Sequence, residues 1–68
     1  MKKSEIKIFK EEYESYKEKL LYFQEKLDQC NDPSYKIDII CYISSYRQRI
    51  EFLEDLSYKL NISHELGL

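Results

Sequence analysis

Two cysteines, one histidine, a run of glutamates, two arginines and seven tyrosines are the side chains of this 68-residue chain that could do chemistry. Cys30, Cys41 and His64 number three, and a structural zinc site needs four ligands, so they cannot close one within a single chain. Nucleophilic catalysis needs a base held by a third group, and neither cysteine has a histidine close in sequence. Glu11, Glu12, Glu14, Glu18 and Glu25 resemble a carboxylate cluster, but the di-metal sites of helical bundles also require Glu-x-x-His pairs, which the chain lacks. These glutamates alternate with Lys7, Lys10, Lys17, Lys19 and Lys26, the pattern of a solvated helix face supported by i,i+4 pairs. No residue is therefore assigned a catalytic, cofactor-binding or metal-ligating role, and the protein is expected not to be an enzyme. Arg47 and Arg49 stand near Tyr42 and Tyr46 and could contact RNA by stacking. Glu51, Glu54 and Asp55 follow at once, so ion pairing with those acids or with the preceding helix is the preferred use.

Eleven basic against thirteen acidic side chains give a net charge of −2, which does not favour a nucleic-acid footprint. No apolar run approaches the roughly 18 residues of a membrane span, and no signal-peptide core follows Met1-Lys2-Lys3, so a cytoplasmic location with reduced thiols is expected. On the same ground Asn61-Ile62-Ser63, a match to the glycosylation sequon, is read as accidental. Lys, Ile and Tyr abound, whereas Ala is absent and Arg, Gly and Pro number two, one and one. That bias follows AT-rich codons and suggests a low-GC bacterium or its phage as the source.

The elements that would position these residues are legible in the apolar spacing. Ile6, Phe9, Tyr13, Tyr16, Leu20, Phe23, Leu27 and Cys30 advance in alternating steps of three and four, a heptad seam over more than three heptads. The spacing predicts a helix over 4–30 with Ser4 as its cap. Asn31-Asp32-Pro33 breaks the pattern: Asn tolerates the left-handed conformation that ends helices, Asp accepts a first-turn N–H, and Pro suits the first helical position. A second helix over 33–61 resumes the step at Ile39, Ile43, Tyr46, Ile50 and Leu53, and the tail 62–68 is expected to fray. So short a turn, 31–33, makes the helices antiparallel. The hairpin then pairs Phe23 with Ile39, Leu20 with Ile43, Tyr16 with Tyr46, Tyr13 with Ile50 and Phe9 with Leu53, every layer apolar or aromatic. In that register Cys41 is level with Tyr22 and roughly 12 Å along the axis from Cys30, beyond the reach of a disulfide. Both thiols are read as small buried hydrophobes, with a Cys41–Cys41 contact across a dimer as the alternative.

The expected fold is thus all-α: one domain, residues 1–68, forming an antiparallel, coiled-coil-like hairpin that dimerises into a four-helix bundle. Dimerisation is expected because a core this small supplies only about 3–5 kcal/mol, and because residues 37–43 are apolar at six of seven positions. Leu21, Tyr22, Ile37, Ile40, Cys41 and Ser44 form the expected dimer interface. Tyr13, Tyr16 and Tyr46 are expected inside, and Tyr22, Tyr35, Tyr42 and Tyr58 at the surface, where tyrosine is common in protein contacts. In size and turn placement the hairpin resembles plasmid RNA-binding four-helix dimers, without their basic outer face. It also resembles small sporulation phosphatases acting on response regulators, without their Ser-Gln-Glu-Leu-Asp motif. The function expected is protein–protein interaction: a homodimer, or a higher oligomer, that regulates or inhibits a larger protein partner. A nucleic-acid-binding hairpin using Arg47 and Arg49 is the alternative.

Overall fold

A computed structural model describes residues 2–68, and its described residues contain helix and turn but no strand. Lysine, glutamate, glutamine and leucine lose little rotamer freedom in a helix, and they dominate α1, Lys3–Gln29. The expected cap at Ser4 is not used. Lys2 caps the helix without a side-chain bond, and its carbonyl accepts the N–H groups of Glu5 and Ile6 at 3.1 Å. Glu5 in the first turn and Lys26 in the last complement the helix dipole.

The corner is made by extended backbone. Cys30, at φ −86° and ψ 131°, ends α1, and no left-handed residue occurs there, because Asn31 keeps a negative φ. Asp32 precedes a proline, whose ring disfavours helical backbone in the residue before it, and it is extended too. Its carboxylate then accepts the Ser34 N–H at 3.0 Å and its carbonyl the Lys36 N–H at 2.9 Å. With Pro33 at the first helical position, these bonds start α2, Pro33–Lys59. Each helix of 27 residues is about 40 Å long, and the hairpin measures 45 × 16 × 16 Å.

The seam is filled by the residues whose spacing pointed inward. Phe9, Tyr13, Ile39, Ile43, Ile50 and Leu53 are buried, and Ile6, Tyr16, Leu20, Phe23, Leu27 and Tyr46 are half-buried along the same line. Tyr16 meets Tyr46 with ring centroids 6.1 Å apart, as the expected register requires. Ser57 completes the stripe, and its hydroxyl donates back to the Glu54 carbonyl at 2.6 Å, so its full burial leaves no orphaned polar atom.

The chain end departs from expectation. The tail does not fray, and α2 stops at Lys59 rather than at residue 61. Asn61 adopts φ 63°, the Ile62 N–H donates to the Ser57 carbonyl at 2.9 Å, and the Asn61 N–H to that of Tyr58 at 3.1 Å. This is a Schellman motif, with Asn supplying the left-handed residue that glycine supplies more often. It turns the chain back over the open end of the hairpin. Ile62, only 6% exposed, joins Phe9, Tyr13, Ile50 and Leu53 in one cluster, and a single 3₁₀ turn, Ser63–Leu66, lays Leu66 against it. Gly67, at φ 78°, closes that turn in a conformation a side chain would strain.

Ile62→Ala should therefore lower unfolding stability by about 2–4 kcal/mol, the range for removing a buried aliphatic side chain. Urea unfolding followed by far-ultraviolet circular dichroism measures it, and a change within experimental error would return the tail to a frayed state.

Candidate interaction surfaces

A seam between two helices has two flanks, and the side chains of this hairpin make the flanks unlike. Helical residues advance by about 100°, so residues three or four apart share a side whereas adjacent residues do not. On one flank lies a continuous row of rings. Tyr22 meets Phe23 edge-on at 5.2 Å, Phe23 stacks on Tyr42 at 5.1 Å and on Tyr46 at 5.7 Å, and Tyr46 tilts against Tyr16. The Arg49 guanidinium rests over Tyr16 and Tyr46, at 5.6 and 5.8 Å from their centroids. Beside it, Glu12, Tyr16, Gln48, Arg49, Phe52 and Leu53 line a shallow groove whose lip, Phe52, is 64% exposed.

The lysines of α1 take up the same role. Lys17 lies over Tyr13 at 5.2 Å, Lys19 over Tyr16 at 6.0 Å and Lys26 over Tyr22 at 5.5 Å. Lys–Glu pairing along α1, expected from the alternation of charges, is not what the side chains do. Among the described residues Lys59 pairs with Asp55 at 2.9 Å and His64 Nε2 lies 3.1 Å from Glu65 Oε1, both at the surface and worth little. Nor do the arginines pair with Glu51, Glu54 or Asp55. Arg49 lies on the rings, and Arg47, two positions earlier, is exposed on a different side of the helix. The two guanidinium groups thus leave α2 on different sides.

Across the seam, Tyr13 is buried to 2% exposure and its hydroxyl donates to Glu54 Oε2 at 2.7 Å. Burial first, then this hydrogen bond and the negative charge of Glu54, push the Tyr13 phenol up to about 12. The bond joins the helices on the flank opposite the ring row and fixes which way the seam faces.

On that second flank and the back of α2 the surface is aliphatic. Ile37 is 63% exposed and Ile40 50%, with the small residues Cys41 and Ser44 beside them, and Leu21 of α1 is 58% exposed and falls about level with Cys41. Five of the six expected interface residues are thus exposed toward this side. Tyr22 stands apart, drawn into the ring row by Phe23. In the single hairpin Cys41 is exposed, as an interface position must be before association, while Cys30 is half-buried with its Sγ directed at the Asp32 carbonyl at 3.5 Å. Both thiols are free.

The corner half of the hairpin owns this surface. At the open half the folded-back tail seals the seam, whereas at the corner half nothing does, and Leu20, Phe23 and Leu27 are left half-buried. Tail coverage could not be read from the seam pattern. Its sequence signal is Asn61 followed by Ile62, the left-handed residue and hydrophobic contact of a Schellman end. Among the described residues no helix is long and apolar enough to cross a membrane, and no group of three or more His, Cys, Asp or Glu side chains is placed to hold a metal ion. Comparison with protein-family models, curated proteins and solved structures returns no match.

The Tyr13–Glu54 bond makes a pH prediction. A tyrosine whose acidity is weakened by folding stabilises the native state fully below the unfolded value of 10 and loses that contribution as pH rises toward about 12. Tyr13→Phe should cost about 1–2 kcal/mol at neutral pH, through the lost bond to a charged acceptor. The gap between wild type and variant should close between pH 10 and 12. Urea titrations of both proteins across that range measure it; a gap that does not shrink with pH would show that the phenol is not held protonated by folding.

Proposed function

We propose that the protein acts by contact: a helical hairpin that self-associates through its aliphatic side and regulates or inhibits a larger protein partner. The observation that carries this reading is the exposure of Leu21, Ile37 and Ile40 along one side of a hairpin too thin to cover them. The chain exposes 5279 Å², whereas a compact monomer of 8.4 kDa is expected to expose about 4,600 Å². The difference is close to the roughly 800 Å² that each partner gives up in a standard interface. Burying three or four aliphatic side chains of each copy contributes roughly 1.5–3 kcal/mol apiece, a gain comparable to the whole stability of a lone hairpin.

Two sides allow two contacts. The ring row, with Tyr22, Tyr42 and Arg49 at its surface, is made of the residue types that dominate binding energy when a protein docks. Its rings and guanidinium are already held in place by one another, so little side-chain entropy remains to be lost on binding. Self-association through the aliphatic side leaves this row free for a different protein. A small chain that binds in this way acts by occupying a site or blocking one, which fits a regulator or an inhibitor.

Ile40→Asp separates association from folding, because Ile40 lies outside the seam, whereas Leu20→Asp strikes the seam itself. At micromolar concentration, sedimentation equilibrium should give a dimer for the wild type and a monomer of undiminished helicity for Ile40→Asp. Leu20→Asp should lose helicity and association together. A wild-type monomer, or a dimer indifferent to Ile40→Asp, would overturn this use of the aliphatic side.

A further inference from the structure

Resting on the self-association just proposed, we infer that the second copy lies antiparallel on the corner half of α2, its twofold axis passing between Ile40 and Cys41. The exposed residues of α2 restrict the registers open to a second copy. Ile37 and Ser44 lie along the middle of the outward face of α2, and Ile40 and Cys41 flank that line on either side, by the 100° step of the helix. A parallel pairing sets each residue against itself and brings Arg47 to Arg47, Glu51 to Glu51 and Asp55 to Asp55, like charges in contact.

Antiparallel pairings set residues with a constant sum of numbers opposite each other. Centring the axis on Ser44 places Ile37 against Glu51 and Ile40 against Gln48. Centring it farther along, between Arg47 and Gln48, places Ile40 against Asp55. Both bury an isoleucine against a carboxylate. Centring it between Ile40 and Cys41 sets Ile37 against Ser44 of the partner subunit and, because a twofold keeps each flank on its own side, Ile40 beside the partner's Ile40 and Cys41 beside the partner's Cys41, with no charged group facing an isoleucine. The contact then ends where Pro33 faces the partner's Gln48, at the corner where the chain turns away. At the Ile37–Ser44 level a large residue meets a small one, and the small Cys41 pair lies beside the two Ile40 side chains, which lets the helices approach closely.

The same placement explains why only one half of the hairpin carries this surface. The open half already has a third layer, Ile62 and Leu66 from its own tail. In the inferred dimer the corner half receives its third layer from the other copy. Leu21, on the neighbouring helix and about level with the axis, borders the contact and extends it onto α1.

A short chemical distance follows. With helix axes 8–10 Å apart, the two Cys41 Cα atoms stand about 6 Å from each other, within the range a disulfide spans, whereas two Ser44 Cα atoms lie more than about 10 Å apart along the axes. The test uses the full chain with Cys30→Ser, leaving Cys41 as the single thiol. Air oxidation catalysed by copper phenanthroline forms the bond, dioxygen taking up the two electrons and two protons that the thiols release. Most of the protein should run as a covalent dimer on a non-reducing gel. A variant with Cys30→Ser, Cys41→Ser and Ser44→Cys should give almost none, although it sediments as a dimer. In the thiol-free background, mixing Ile37→Cys with Ser44→Cys should give the crosslinked heterodimer. A protein that sediments as a dimer yet crosslinks through Ser44→Cys rather than Cys41 would overturn this axis and leave self-association standing. A wild type that is monomeric in sedimentation would remove both.

Discussion

A pair of helices hides one stripe of each, and the consequences of that limit run through the whole molecule. The seam from Phe9 to Leu27 against Ile39 to Ser57 is continuous and most deeply buried toward its open end, but two rods of 27 residues cannot cover their own flanks. Every side chain that the seam cannot take must be covered from elsewhere or left in water. The tail covers the open end, cations lie over rings on one flank, and the aliphatic side of α2 stays uncovered.

The treatment of charge follows from the same thinness. In a broader protein the lysines of α1 would extend into solvent or meet glutamates one turn away. Here their ammonium groups lie over the rings of Tyr13, Tyr16 and Tyr22, at little cost in solvation. Arg49 does the same for the pair formed by Tyr16 and Tyr46. The surface has a balanced composition, yet its cations and rings are arranged together, and this sets the row of rings apart from the aliphatic side.

Among the described residues, buried polarity is confined to one place. Tyr13, Glu54 and Ser57 form a small network at the well-covered end, where the Glu54 carboxylate takes the phenol and its carbonyl takes the serine hydroxyl. A hydrogen bond at a fixed depth and on a fixed flank opposes sliding or rolling of one helix on the other, which apolar contacts alone resist weakly. The seam holds the helices together; this network holds their orientation.

Heptad spacing and the Asn-Asp-Pro corner are local patterns, and they were enough to establish two helices, their antiparallel course and the inward stripe, since the period of a helix and the geometry of proline need no distant partner. The exposure of Ile37, Ile40 and Leu21 was legible for the same reason, because a residue off the stripe of a two-helix hairpin has nowhere to go. Contacts between residues far apart in sequence decided the rest. Ile62 is buried because Asn61 turns left-handed and the open end lies within reach. Phe23 stacks on Tyr42 and Tyr46 because the corner brings α2 alongside it. A one-dimensional pattern carries the direction in which a side chain leaves its own helix; which groups it then meets depends on where the other helix and the tail have been brought.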